Sequence, residues 1–225
     1  YVPTTSSAVY LPRRGHHVYN GTSWVNEGVL VESEARTNLV TYSNDFTQWV
    51  TSKTTLTAAQ AISPDGTLSA SSLIEDATLG LHEFSLASTI PTGNVCHSVF
   101  AKSLSGTRYL QIRPTGLGLG VAYTNFDVTT GTVVSSGGSA YVSSGVEVCG
   151  NGWFRLWMVA NYASAPSGVA VSPSNSSSEL PSYAGDGTSG FYIYGAQIEE
   201  GSTPSSLIPT SGSTVTRSAD SITVP

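Results

Sequence analysis

The chain has 225 residues, of which 39% are hydrophobic and 11% are charged, and its formal net charge is −6 at pH 7. Its many Ser, Thr, Gly and Pro residues interrupt helices and suit strands and turns, which argues against an all-α fold. Nine basic against fifteen acidic side chains provide no cationic field for a phosphate backbone, and no apolar stretch approaches the roughly 20 residues that span a bilayer. Neither nucleic-acid binding nor membrane insertion is therefore expected.

The first part of the chain contains turn formers and aromatic side chains without a clear period, and we interpret residues 1–28 as an N-terminal connector. From residue 29 onward, short apolar or alternating runs are separated by turn signals such as PDG at 64–66 and GNG at 150–152. The runs predicted as strands are 29–31, 49–56, 69–73, 82–86, 95–102, 108–114, 121–128, 141–148, 153–162, 168–172 and 191–198. This succession without helices predicts that residues 29–225 form an all-β domain, a jelly-roll β-sandwich of two antiparallel sheets.

One short internal similarity links the two ends of the chain. Residues 1–13 and 207–217 both carry an apolar pair, Pro-Thr, a Ser-rich spacer, a Val and an Arg. Two interpretations stay open: a repeat within a longer modular fibre, or two similar Ser/Thr-rich turns.

Alternation within three predicted strands separates an inner from an outer side, because successive side chains of a strand point to opposite faces. Leu110 and Ile112 form one apolar inner set, and Phe154, Leu156 and Met158 form another. The opposite parity combines aromatic rings, amides and guanidinium groups, at Tyr109, Gln111, Arg113, Tyr123, Asn125, Trp153, Arg155 and Trp157.

This outer side has the chemistry of a carbohydrate-binding site. A pyranose ring stacks on Trp or Tyr, and its hydroxyls bond to planar partners such as Arg, Asn and Gln. The alternative is that a loop, a neighbouring subunit or the connector covers these rings. Tyr192 and Tyr194 share the parity of Ile198, which makes them candidates for the core instead.

The sequence contains no nucleophile elbow, zincin motif or P-loop, and no dinucleotide fingerprint that follows a strand and opens a helix. The G-x-G-x-x-G spacing of GDGTSG at 185–190 lies in a predicted loop and is interpreted as a turn. His16 and His17 are adjacent, as are His82 and Glu83, so in a strand each pair would point to opposite faces. Cys96 and Cys149 allow either one disulfide or two buried thiols.

Carboxylates are sparse but recur near both ends of the predicted sandwich, where first and last strands often meet. They are Glu32, Glu34, Asp45, Glu199 and Glu200. A Ca²⁺ ion there would need several oxygen ligands, some of them backbone carbonyls, so calcium is a hypothesis at this stage.

Several segments resemble, in order, a module found in phage tail and head-fibre proteins and in gene transfer agent spikes. The opening GVLVESEARTNLVTYSNDFTQW at 28–49 has the typical Gly-aliphatic lead, ARTNL, Tyr-Ser-x-Asp-Phe and Trp. SVFAKS at 98–103, GNGWFRLWMVA at 150–160 and the closing run YAGDGTSGFYIYGAQIEEGSTPSSLIPTSGSTVTRSAD follow it. The resemblance extends over about residues 28–220, nearly the whole chain.

The module is similar to carbohydrate-binding modules of the jelly-roll type. The resemblance implies a homo-oligomeric domain on the surface of a virion assembled in the bacterial cytoplasm, with host cell-surface polysaccharide and other fibre, spike or capsid subunits as partners. It also implies that a structural Ca²⁺ ties the chain ends together, with Asp45 and Glu199 in the matching blocks. It supplies no sugar-contacting motif, so the contact residues depend on strand parity alone.

Three functions follow from these observations. The first is a non-catalytic receptor-binding adhesin domain that binds polysaccharide. The second is a structural capsid-decoration or fibre-hub domain whose aromatic face is an oligomer interface. The third is a depolymerase, which ranks last because glycosidases need two carboxylates flanking the bond and no such pair is evident near the predicted face. The chain is therefore expected not to be an enzyme.

Overall fold

The computed structural model describes residues 13–20 and 22–221, and within them the chain is an all-β sandwich, as predicted. The strands are β1 Arg13–Tyr19, β2 Trp24–Leu30, β3 Arg36–Asn38, β4 Val50–Ser52, β5 Thr54–Ile62, β6 Leu68–Glu75, β7 Leu79–Gly80, β8 Glu83–Ala87, β9 Gly93–Ser105, β10 Tyr109–Thr115, β11 Tyr123–Asp127, β12 Thr132–Gly137, β13 Tyr141–Gly150, β14 Trp153–Tyr162, β15 Gly168–Ser174, β16 Tyr183–Ala184, β17 Gly190–Glu200 and β18 Val215–Arg217. A 3₁₀ helix at Phe46–Gln48 interrupts them. None of the helical residues described here forms a segment long and apolar enough to cross a membrane.

Two antiparallel sheets of six strands form the sandwich. The first sheet has the order β12-β11-β10-β15-β8-β4, and the second has the order β13-β14-β9-β17-β6-β5. The chain passes from one sheet to the other between β8 and β9, and again between β9 and β10. Leu110, Ile112 and Phe126 of the first sheet meet Leu156 and Met158 of the second in one apolar core. The inner parity predicted for these strands is therefore confirmed.

The strand pattern differs from the prediction in several places. Five strands after the connector, β3, β7, β12, β16 and β18, lie outside the predicted runs. The run predicted at 49–56 is divided into β4 and β5 by Lys53, whose backbone adopts a left-handed φ of 54°. Part of the predicted connector forms the antiparallel hairpin β1–β2, and β2 extends across the predicted boundary between residues 28 and 29. Residues 1–12 of the connector, and with them most of one half of the internal similarity, lie outside the described residues.

The two ends of the domain meet, as expected, where β3 pairs with β18. Asn38 in β3 is fully buried, and its side chain replaces missing strand pairing there. Its amide nitrogen donates to the carbonyl oxygens of Ala196 and Ile208, while its oxygen accepts from the backbone N–H groups of Val40 and Ile198. The Asn38 side chain thus satisfies four buried backbone groups, one at residue 40 and three between residues 196 and 208.

The Asp-Phe…Trp part of the opening block also has a structural role. Asp45 caps the 3₁₀ helix by accepting hydrogen bonds from the backbone and hydroxyl of Thr47. The helix turns Phe46 and Trp49 into the core, where the Trp49 indole stacks on Phe84 at 5.0 Å between ring centroids. This block therefore anchors the start of the sandwich by aromatic packing.

Candidate functional site

The eight predicted sugar-binding side chains do not lie on one surface. Tyr109, Gln111, Arg113, Tyr123 and Asn125 belong to β10 and β11 in the first sheet, whereas Trp153, Arg155 and Trp157 belong to β14 in the second. All eight have the outward parity that alternation predicted. Because the outer sides of two packed sheets face away from each other, the two groups cannot contact one sugar together.

On the first sheet, the chain itself covers the predicted amides. The Gln111 side chain donates to Asn125 Oδ1 at 2.8 Å and to the Ser178 carbonyl at 2.9 Å, and its oxygen accepts from the Leu180 N–H. Asn125 donates to the carbonyl of Ser177 at 3.0 Å. Both amides are fully buried under the Ser-rich loop at 175–182, which uses up the hydrogen bonds that a sugar would need.

The other predicted residues of the first sheet are also engaged or partly covered. Arg113 is 8% exposed, forms an ion pair with Glu83 and donates to the carbonyl of Pro114. Tyr109 and Tyr123 are half-buried. The first sheet therefore presents two partly covered rings rather than an open platform.

On the second sheet, two of the three predicted residues serve packing. Trp153 is 2% exposed and donates its indole N–H to the Ile62 carbonyl at 3.0 Å. Trp157 is half-buried and pairs in register with Gly145 on β13, where an added Cβ would lie 2.5 Å from the indole ring. Glycine at 145 therefore makes room for this ring.

Tyr192 and Tyr194 are not in the central core, which corrects the parity assignment. A bulge at Gly195, with a φ of 60°, shifts the register of β17 before Ile198. The extra residue reverses the parity, so Ile198 faces the core while both tyrosines contact a second apolar cluster. This cluster, on the outer side of the second sheet, consists of Ala70, Phe100, Trp153, Tyr194 and Leu207.

An open cleft of about 810 Å³ lies on the outer side of the second sheet. Phe100, Glu147 and Arg155 contribute from β9, β13 and β14, and Trp24 contributes from the β1–β2 hairpin. The Trp24 side chain is 46% exposed. Of the eight predicted residues, only Arg155 lines this cleft, and we refer to it below as the hairpin cleft.

Ion pairs and hydrogen bonds fix the end of the hairpin cleft where β3 pairs with β18. Glu32 pairs with Arg217 at 3.3 Å, and Glu34 pairs with Arg36 at 2.7 Å. The segment 203–207 forms another wall, and Glu32 and the buried Glu199 hold it by accepting from the backbone N–H groups of Ser206 and Ser205. These carboxylates therefore maintain the shape of the cleft.

The two residues considered for calcium are both bonded to the protein. Glu199 accepts from Gln197, from the Ser205 N–H and from the Ser205 hydroxyl. Asp45 accepts from Thr47 as described above. Among the residues that the structure describes, no group of three or more His, Cys, Asp or Glu side chains is placed to hold a metal ion. Calcium stays a prediction from the resemblance.

The cysteines and the buried histidine are placed as inert groups. Cys96 and Cys149 are both free thiols rather than a disulfide, and of the two only Cys96 is buried, whereas Cys149 is half-buried. Burial raises the pKa of Cys96 to about 12 and that of Cys149 to about 11, so neither is a reactive thiolate near neutral pH. Burial lowers the pKa of His97 to about 4, and its Nε2 lies 2.8 Å from the Tyr162 hydroxyl.

Sequence reasoning missed Trp24 and Phe100, two aromatic rings that line the hairpin cleft. Phe100 has the parity opposite to Val99 and Ala101, which face the core, so alternation could have placed it outward. Trp24 gave no comparable signal, because the short β2 strand lies in a segment without a clear period. The chain matches no model of a protein family and no curated protein sequence.

Proposed function

We propose that this domain is a non-catalytic adhesin module of a phage or phage-like fibre or spike, and that it binds host cell-surface polysaccharide in the hairpin cleft. The observation that carries the proposal is the open cleft of about 810 Å³ that combines the exposed Trp24 ring with the Arg155 guanidinium. The block resemblance at 28–49, 98–103, 150–160 and 183–220 supports the phage-like context.

The dimensions and chemistry of the cleft suit a short stretch of glycan. Small-molecule sites have volumes of about 300–1,000 Å³ and combine apolar walls with a few polar groups. Trp24 supplies a face for pyranose stacking, and the Arg155 guanidinium supplies a planar hydrogen-bond partner for hydroxyl groups. Affinity at one site should be modest, and several copies on a homo-oligomer would raise it by avidity.

The carboxylates of the hairpin cleft support a binding role rather than hydrolysis. The cleft contains Glu32 and Glu34, which the sequence had placed together, and Glu147, which it had not. Glu32 and Glu34 are each paired with an arginine, and Glu32 also accepts the Ser206 N–H. Carboxylates committed to such contacts are suited to holding walls in place. Release of reducing sugar from purified capsule would contradict the non-catalytic assignment.

The proposal is tested by binding of the purified domain to an array of bacterial capsular polysaccharides and lipopolysaccharides. We expect saturable binding that Trp24→Ala weakens by up to about tenfold, because stacking on one aromatic ring contributes about 0.5–1.5 kcal/mol. Tyr109→Ala is the matched control, since it removes a half-buried ring from the opposite outer side. Equal losses in both variants, or no binding to any bacterial glycan, would overturn the proposal.

A structural subunit is the second candidate, and a specific surface feature favours it. The edge strands β12 and β13 expose four valines, Val133, Val134, Val142 and Val148, each between 38% and 49% accessible. Exposed apolar side chains on sheet edges favour pairing with another chain. Light scattering of Val134→Lys and Val142→Lys variants tests this role, because loss of an oligomer without loss of glycan binding would separate the two functions.

A further inference from the structure

Arg155 differs from the other arginines whose side chains the structure describes. Arg36, Arg108, Arg113 and Arg217 each hold a carboxylate oxygen within 3.3 Å. The carboxylate nearest to Arg155 is Glu147, with Oε2 at 3.9 Å from Nη1, which is beyond hydrogen-bond distance. Among the residues that the structure describes, the ion pair of Arg155 is therefore longer than that of any other arginine.

The guanidinium of Arg155 is also poorly satisfied for its depth. The residue is 5% exposed, and its one side-chain hydrogen bond within the described part of the chain runs from Nη2 to the Ser98 hydroxyl at 3.1 Å. Its buried Nε has no hydrogen-bond partner there. An arginine has five N–H donors, and buried donors are normally paired, so most of the bonding capacity of Arg155 is unused.

The position of Arg155 directs this unused capacity toward a ligand. The guanidinium lies over the Phe100 ring, 5.3 Å from its centroid, and both groups line the hairpin cleft. The cation–π contact holds one face of the guanidinium against the Phe100 ring, and the N–H donors point outward along the edge of the guanidinium plane. A carboxylate matches this edge in shape and charge, because two parallel N–H···O bonds can form at once.

We propose that the hairpin cleft selects acidic polysaccharides, and that Arg155 binds the carboxylate of a uronic acid or another carboxylate-bearing sugar. This inference depends on the proposed function and specifies its ligand class. Trp24 would stack on a pyranose ring at the mouth of the cleft, while Arg155 at the floor would recognise the acid group.

Glu147 has a defined part in this selection. Its side chain is 50% exposed on the edge strand β13, and it registers opposite Arg155 on β14. When the cleft is empty, the Glu147 carboxylate is the nearest anion to the guanidinium. An acidic sugar would take its place, and the exposed side chain can rotate into water at little cost. Removing the charge of Glu147 should therefore strengthen binding of an acidic ligand.

The test uses affinity gel electrophoresis of the whole domain with three polyuronates: polygalacturonate, alginate and hyaluronan. Each is compared with the same polymer after reduction of its carboxyl groups to alcohols. We expect retardation by at least one polyuronate and at least about tenfold weaker binding of its reduced form, as expected for the loss of a charge-assisted pair.

Four variants assign the effect to Arg155. Arg155→Gln should weaken binding of the polyuronate by about tenfold or more, and Arg155→Lys should be intermediate because it keeps the charge but loses the planar fork. Glu147→Gln should strengthen it by about two- to fivefold, and it is informative even if the Arg155 variants fail to fold. Lys102→Gln is the charge-matched control from the same strand as Phe100, at a residue outside the cleft lining, and should leave binding unchanged.

Two outcomes would overturn the selectivity for acidic sugars, and each allows the proposed glycan binding to be judged separately. Equal binding of acidic and reduced polymers, lost together in Trp24→Ala, would establish a glycan site that ignores the acid group. Failure of all three polyuronates would also overturn the acidic selectivity, and the bacterial glycan array would then decide the proposed function separately. Weaker binding of the polyuronate by Glu147→Gln would contradict the competition between that side chain and the ligand.

Discussion

The buried His97 predicts a specific loss of stability in mild acid. Its ring is fully buried beside Tyr162, and burial lowers its pKa from 6.5 to about 4. Between these two values the unfolded chain binds a proton that the folded chain does not, so the free energy of unfolding falls as pH falls from about 7 to about 4. The pKa difference corresponds to about 3 kcal/mol across this window.

Urea unfolding measured at intervals from pH 7.5 to pH 4 tests this prediction. We expect the His97→Gln variant to have a lower stability at pH 7.5 but a much flatter pH dependence, because the side chain at position 97 no longer binds a proton. The control is His17→Gln at an exposed position, which should keep the decline of the original chain. Stability lost below pH 4 has another source, since hydrogen bonds from Ser189 lower the pKa of Asp186 below its usual range. An equal decline between pH 7 and pH 4 in His97→Gln and the unmodified chain would refute the reasoning.

Four further predictions concern side-chain packing, the two free thiols and the calcium ion that the resemblance implies. Asn38→Ala should lower the free energy of unfolding by about 3 kcal/mol in urea titrations, because it leaves four buried backbone groups without their partner; a loss below about 1 kcal/mol would contradict that role. Gly145→Ala should cost about 1–3 kcal/mol and shift the indole signal of Trp157, and an unchanged spectrum would show that the ring does not need the space. Maleimide labelling of folded protein should be slow at pH 7.5 for Cys96 and Cys149 and faster as pH rises, whereas rapid labelling of both at pH 7.5 would contradict the raised pKa of these thiols. The calcium implied by the resemblance should raise the Tm of the domain and lose that effect in Asp45→Asn, and an unchanged Tm in CaCl₂ would argue against it.

Alternation predicted which sides of β10, β11 and β14 face the core, but not the sheet to which each strand belongs. Side-chain parity is a local property, so the inner set at Leu110 and the inner set at Leu156 were both identifiable from the sequence. Sheet membership depends on where the chain crosses the sandwich, and the sequence does not reveal that crossing. The predicted surface was therefore correct in its outward direction and wrong in combining Tyr109 with Trp157.

The remaining differences have equally specific causes. The loop at 175–182 is Ser-rich and without period, so its position over Gln111 and Asn125 could not be predicted. The bulge at Gly195 adds one residue to β17 and reverses the parity of Tyr194 relative to Ile198. In each case a backbone feature of one or a few residues determined which side chains are available at the surface.

The position of the ligand site is tested most directly by the indole N–H signals of the four tryptophans during titration with a polysaccharide that the domain binds. Trp24, at the mouth of the hairpin cleft, should shift with saturation. Trp49, inside the core, serves as the internal reference and should not move. A saturable shift of Trp157 with an unchanged Trp24 would contradict the location of the site, and unchanged signals from all four would contradict sugar stacking altogether.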